Sequence, residues 1–372
     1  MPNRVYWAVT AFALDDTLTN VDIANAEFVT GVQSVGITTT FNLEQVFQLG
    51  QLSLFQDVEE VPDIEISVER VLDGTYLLYN RCMGGTNKTI SALQNNQVNA
   101  YFQIAADSID NVGDIDSDSE NLAWVYCSGM YLSSWSLACP TDGNFTESVT
   151  LVGNHKQWKT MAANTNVADK IGGGHALPTA AEPDSDDNVT VRRRQHFTWA
   201  DIPKPLAAGS KITNVTTSVD FGREMINVLG TKLPYYRYVT YPVEVTCEIE
   251  ALFHIGISNT YATTTDWPLS GAPDNDIVQA TNILGDGIQA FPNARNVESQ
   301  TIKFYVSDKG GKSTSGTKVD LGTANKCTSV AYGGGTTGGE NATVTYSFRN
   351  FNDLIVDSST GVDPEATEPS SA

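Results

Sequence analysis

The side chains first to weigh for chemistry in this chain are its four histidines, its five cysteines and the carboxylates that dominate its charge. His155, His175, His196 and His254 stand in unrelated contexts, with no His-Glu-x-x-His or Cys/His ligand spacing, so no metal site is expected. Cys82, Cys127, Cys139, Cys247 and Cys327 are odd in number, far apart and without a Cys-x-x-Cys pair, which is the pattern of free thiols in a reducing compartment. Asp114-x-Asp116-x-Asp118 begins like a calcium loop, but Ser119 fills the turn-glycine position and Val125 the place of the bidentate glutamate. A solvated loop is expected there instead. Gly285-x-Gly287-x-x-Ala290 fits a dinucleotide fingerprint only formally, because Pro292 would sit inside the helix which that motif must open. The chain contains neither a Gly-x-Ser-x-Gly elbow nor a P-loop, so neither catalysis nor a cofactor is expected. Two alternatives stay open. Paired carboxylates such as Glu59-Glu60 are the raw material of glycoside cleavage. Trp124, Tyr126, Tyr131 and Trp135, if exposed together, would suit a carbohydrate-binding, adhesin-like module of a virion or cell surface.

Charge narrows the partners. Lys and Arg total 22 against 44 Asp and Glu, a formal net charge of −22, whereas general nucleic-acid binding needs clustered cations to neutralise phosphates. Arg192-Arg193-Arg194 is the one dense cationic run, and so many carboxylates make pairing within the chain or with a neighbouring copy its expected use. Glu244, Glu248 and Glu250 alternate with Val243, Val245, Cys247, Ile249 and Ala251, which predicts a strand with one core face and one anionic face.

The elements that must position these residues read as strands. Val5 to Leu14 follows Arg4 and carries Ala11-Phe12-Ala13, but Trp, Tyr and Thr interrupt the apolar run, so a first β-strand is expected rather than a signal segment. No run approaches the ~20 apolar residues of a membrane-spanning helix. A polar arm through Asn20 and Asn25 leads to Gly31–Tyr79, where Val32, Val35 and Ile37, then Ile64, Ile66 and Val68, alternate with polar residues before Asp73-Gly74 predicts a hairpin turn. Met225, Ile226 and Leu229 followed by Gly230 predict one short helix over Arg223–Leu229. Further strands are expected at Tyr235–Thr240, Val243–Ile257, Thr301–Val306 and Thr343–Phe348, and the tail from Asp357 has a disordered composition. No internal repeat of fixed period stands out. Five Asn-x-Ser/Thr sequons would suit a secreted protein, and chance in a chain rich in Asn and Thr explains them equally well.

Gly31-Val32-Gln33-Ser34-Val35, followed by Pro62–Gly74, resembles the opening sheet of tail tube (major tail) proteins of tailed bacteriophages. Phe145–Asn154, Phe221–Arg237 and Tyr241–Thr246 continue the resemblance in order and spacing. It implies an all-β fold, mainly an antiparallel β-sandwich or partial barrel with one short α-helix and long inserted loops. The layout would be a single domain over 1–357, with inserts near 155–195 and 255–340, and a disordered tail over 358–372. It also implies a structural virion protein, assembled in the host cytoplasm, whose hexameric rings stack into a tube that conducts genomic DNA. Partners would be copies of itself and other tail proteins such as a terminator, a baseplate or tip, or a sheath, with double-stranded DNA passing unbound. Gly31, Val32, Val35, Asp73, Gly74, Arg192, Arg193 and Arg194 are the expected subunit-contact residues, and Glu244, Glu248 and Glu250 the expected lumen residues.

Overall fold

A computed structural model of the chain describes residues 11–15, 27–73, 77–84, 89–93, 95–104, 123–160, 191–203, 206, 211–252, 299–307, 316–333 and 343–357. Outside the described residues lie the expected polar arm at Asn20 and Asn25, Gly74, the acidic loop at 107–120, the fingerprint at 285–290, and the tail over 358–372. Residues 161–190 of the first expected insert and 255–298 of the second lie outside them too.

The chain begins with β1 (Ala11–Asp15), β2 (Glu27–Phe28), β3 (Val32–Thr40), a hairpin of β4 (Leu43–Val46) and β5 (Gln56–Glu59), and β6 (Asp63–Val71). Two short helices follow, α1 (Leu78–Met83) and α2 (Ile90–Leu93), then β7 (Val98–Ile104), β8 (Ala123–Pro140), β9 (Thr146–Gly153) and β10 (His155–Thr160). After a 3-10 turn at Arg194–His196 come β11 (Phe197–Asp201), β12 (Ile212–Asp220), a hairpin of β13 (Glu224–Ile226) and β14 (Tyr236–Tyr238), and β15 (Glu244–Leu252). The last described strands are β16 (Ser299–Gln300), β17 (Lys303–Ser307), β18 (Gly316–Asp320), β19 (Asn325–Gly333), β20 (Thr343–Phe351) and β21 (Ile355–Asp357).

The fold is all-β and antiparallel. One ladder runs β3-β6-β9-β8-β12-β15-β20-β19. Alternation explains its two faces: Ile64, Ile66 and Val68 are buried while Glu65, Ser67 and Glu69 are exposed, because successive side chains of a strand point to opposite sides. The apolar face shares one core with α1 and with a second sheet, β11-β17-β18-β21, through Trp135, Leu151, Ile249, Phe348, Phe304, Val319 and Val356. Each such side chain fully buried contributes roughly 1.5–3 kcal/mol.

Two local expectations fail. Arg223–Leu229 holds no helix; Glu224–Ile226 is β13, paired with β14. A short helix is stable only if its apolar stripe is buried, and here Met225, Ile226 and Leu229 are exposed. Gly230 does end the element, at φ 91°, but as the turn of a hairpin. Nor does Asp73 open a hairpin. β6 pairs with β3 and β9, and the next described element is α1 from Leu78.

A repeat invisible in the composition is plain in the registers. β3, its hairpin and β6 have counterparts in β12, its hairpin and β15. Val35 opposes Val68 as Val215 opposes Ile249, and Ile37 opposes Ile66 as Thr217 opposes Cys247. The register shift between Val32 and Ser34 recurs between Ile212 and Asn214. β9 and β8 correspond likewise to β20 and β19: the shift between Leu132 and Ser134 recurs between Cys327 and Ser329, and Trp135 opposite Val149 becomes Val330 opposite Tyr346. Both hairpins close with the same bond, Phe55 N to Val46 O and Tyr235 N to Ile226 O, each 2.9 Å. The long ladder is therefore two four-stranded units, β3-β6-β9-β8 and β12-β15-β20-β19, joined edge to edge by β8 and β12.

Candidate assembly surfaces

The first surface is the outer face of the ladder. Along it lie Ser34 and Thr38 on β3, Glu65, Ser67 and Glu69 on β6, Ser148 and Thr150 on β9, and Ser134 and Ser136 on β8. It continues through Thr216, Ser218 and Asp220 on β12, Glu244, Thr246, Glu248 and Glu250 on β15, and Thr345, Ser347 and Arg349 on β20. Small hydroxyl side chains bond to one another here, as Ser218 Oγ and Thr246 Oγ1 do at 2.7 Å, and the charges are mostly carboxylates. A depression at the joint of the units is lined by Ser134, Ser136, Ser148, Thr150, Ser218, Asp220, Glu244 and Thr246. Glu244 and Glu248 are exposed and Glu250 half-buried; Glu244 lies 3.8 Å from Arg349 Nη1, an exposed pair worth under about 1 kcal/mol.

The second surface is the pair of outer edges. Among the described residues β3 pairs only with β6, and β19 pairs with β20 and, at Asn325 and Lys326 alone, with β16. β3 carries Val32 and Val35, both half-buried, and Gly31 stands at its start. Gly31 has φ 74°, and a Cβ there would meet Val71 O at 2.4 Å, so only glycine lets the two backbones approach. The equivalent internal strand β12 buries Val215, Thr217 and Val219 fully.

The third surface is the two hairpins. Phe47, Leu49, Leu52 and Phe55 on the first, and Leu229, Leu233 and Tyr235 on the second, are exposed. Several large apolar side chains thus stand together on each hairpin, more than the lone surface leucine that a folded chain ordinarily shows. The second hairpin is clamped to the first unit: Arg237 on β14 binds Asp63, and its Nε donates to Asn154 Oδ1 at 3.2 Å.

The arginine run divides. Arg192 is buried in its own chain, where its N–H donates to Leu72 O at 2.7 Å and its carbonyl accepts Phe145 N at 2.9 Å. Burial lowers its pKa and the nearby Asp73 raises it. Arg193 is exposed and donates from Nε to Asn144 Oδ1 at 2.9 Å, while Arg194 is exposed. Asp73 is buried too, 4.0 Å from Arg70. Arg192 and Asp73, expected at subunit contacts, thus sit within the subunit, because desolvation makes a buried cation and carboxylate seek each other. Next to them Glu147 accepts Arg70 Nε at 2.8 Å, Trp135 Nε1 at 2.8 Å, and the first N–H groups of α1, Leu78 N at 2.9 Å and Tyr79 N at 3.0 Å.

Tyr126, Tyr131 and Trp135 are buried, so they form no exposed aromatic platform; the side chain of Trp124 lies outside the described residues. Glu59 and Glu60 are exposed. Among the described residues no group of three His, Cys, Asp or Glu could hold a metal, and no helix is long and apolar enough to cross a membrane.

No family model and no curated protein matches the chain. Among solved structures it is similar to the SPP1 tail tube, with a TM-score of 0.32 and 9% identity, over 50% of this chain and 99% of that one.

Local sequence pattern does not single out Phe41, the hairpin tips or the stretch of β19 that the described strands leave open. A signal was available in Phe41 and Phe221, Glu44 and Glu224, Leu49 and Leu229, Gly50 and Gly230, and Pro62 and Pro242, which recur at one constant interval.

Proposed function

We propose that this chain is a non-enzymatic structural protein of a phage tail, which assembles with copies of itself into rings whose sheets run edge to edge and whose rings stack into a tube for double-stranded DNA. The observation that carries this reading is the β8–β12 joint, where two like units are already joined through main-chain pairing inside one chain. Ring closure is one way to remove the hazard of a free edge strand, since each edge then pairs with a neighbour. Each chain supplies two units, so a six-unit ring takes three chains.

The remaining surfaces fit such a tube. The outer face with Glu244, Glu248 and Glu250 would line the bore, where carboxylates and hydroxyls offer phosphates nothing to hold. Their repulsion reaches about a Debye length, roughly 8 Å at physiological salt, which keeps the duplex mobile. The hairpin tips would make the contacts between successive rings.

Size-exclusion chromatography with negative-stain microscopy tests the proposal. Rings or tubes are expected, and replacing Leu49, Leu52, Leu229 and Leu233 together by Ser should leave rings that no longer stack. Compact monomers at every protein concentration would overturn it.

A further inference from the structure

We infer that the edge of β3 which no described strand covers pairs, in one copy, antiparallel with the edge of β19 left open by the described strands in a second copy, in the register that β12 and β8 hold inside one chain. This rests on the self-assembling reading above and specifies its joint. β3 is the first unit's β12, and β19 is the second unit's β8, so the internal joint is a template for the external one.

Transferring the register is direct. Asp220 opposite Ser134 becomes Thr40 opposite Ser329, Ser218 opposite Ser136 becomes Thr38 opposite Ala331, and Thr216 opposite Ala138 becomes Gly36 opposite Gly333. Among the described residues, the open stretch of β19 begins at the position equivalent to the one where β12 begins on β8. On β8, β7 reaches Met130 and β12 begins at Ser134; on β19, β16 covers Asn325 and Lys326, and the strand is open from Ser329.

Exposure separates this joint from an ordinary sheet edge. In the internal joint Phe221 N donates to Ser133 O at 2.8 Å, and Phe221 and Trp135 are buried to 0% and 1%. Their counterparts at the open edges, Phe41 and Val330, are 70% and 36% exposed. Phe41 thus presents at its edge the apolar residue whose twin, Phe221, is buried where its N–H meets the complementary strand, and Val330 adds an apolar side chain at the other edge. The two edges differ, so the contact is heterologous, and it closes a ring when its rotation does.

The five native cysteines are all buried, which leaves introduced thiols as the accessible ones. Directly opposed residues of an antiparallel pair stand about 4.5–5.5 Å apart at Cα, within disulfide reach. Thr38→Cys and Ala331→Cys in one chain should give, under mild oxidation, a ladder of chains that reductant collapses. Mixing the two single variants should stop at dimers, and Thr38→Cys with Val330→Cys, whose side chains point to opposite faces, should not cross-link. Phe41→Glu should give folded monomers by sedimentation, with unchanged β-type circular dichroism. If the parent assembles but the first pair yields no ladder, or if Phe41→Glu still assembles, this joint is wrong while self-assembly stands. If the parent stays monomeric at all concentrations, because the edge is covered by its own chain or by another protein, both the joint and the proposed function fall.

Discussion

Phe41 and Phe221 occupy the same place in the two units, yet Phe41 is 70% exposed and Phe221 fully buried. The difference is the neighbour: Phe221 lies against the first unit through its N–H bond to Ser133, and no described residue of the chain takes that position over Phe41.

Truncating the twins should therefore have opposite consequences. Phe221→Ala should cost the isolated chain about 3–5 kcal/mol, the usual loss for a buried phenylalanine. Phe41→Ala should change its stability by under about 0.5 kcal/mol but weaken self-association. Urea midpoints and sedimentation on both variants check this; equal destabilisation would refute the equivalence.

Glu147 holds four donors at once, so Glu147→Ala should strand Arg70 and free the start of α1. A loss of about 3–5 kcal/mol is expected, as when one member of a buried pair is removed. The second unit has Ala251 and Val344 where the first has Arg70 and Glu147. Arg70→Ala with Glu147→Val should accordingly recover part of the loss, read from denaturant midpoints.

The acidic row is tested by changing Glu244, Glu248 and Glu250 together to Lys. Assemblies should still form, since all three side chains lie on the outer face, but they should retain double-stranded DNA at low salt and release it as salt rises. Co-sedimentation of DNA measures the change. Release as ready as from the parent would place the row away from the bore.

Burial pushes the Cys127 and Cys327 thiols from 9.0 up to about 11 and Cys247 up to about 12, because desolvation disfavours the thiolate; Cys139 moves the same way. At pH 8 a thiol reagent should find no fast-reacting cysteine in the native chain and all five after denaturation. The folded values lie above the unfolded one, so the stability these groups contribute is present in full below pH 9. It is lost as pH rises from 9 through about 11, and urea midpoints across that range should fall.

What the sequence alone determined is the local layer of this protein. The alternation of Ile64, Ile66 and Val68 with Glu65, Ser67 and Glu69, and of Val245, Cys247 and Ile249 with Glu244, Glu248 and Glu250, sets strand and face together, because a period of two has only one way to bury its apolar half. Gly50 and Gly230 mark turns for the same local reason, a backbone conformation at φ 90° and 91° that glycine tolerates. Tertiary structure decided the rest. Met225, Ile226 and Leu229 have helical spacing, but all three are exposed among the described residues, and the segment pairs as a hairpin. Arg192 looks like its neighbours in the sequence and is buried because its backbone bridges Leu72 and Phe145. The duplication is faint in the residues since a buried strand position accepts Val, Ile or Cys, and Thr where its hydroxyl finds a partner as Thr217 does at Cys247 Sγ, and one extra residue after Pro242 breaks the constant interval. Register is set by long-range pairing of backbone groups that every residue carries. The paired sheet therefore turns a faint recurrence of residues into two units of one chain, each with an outer edge that no strand among the described residues covers along its full length.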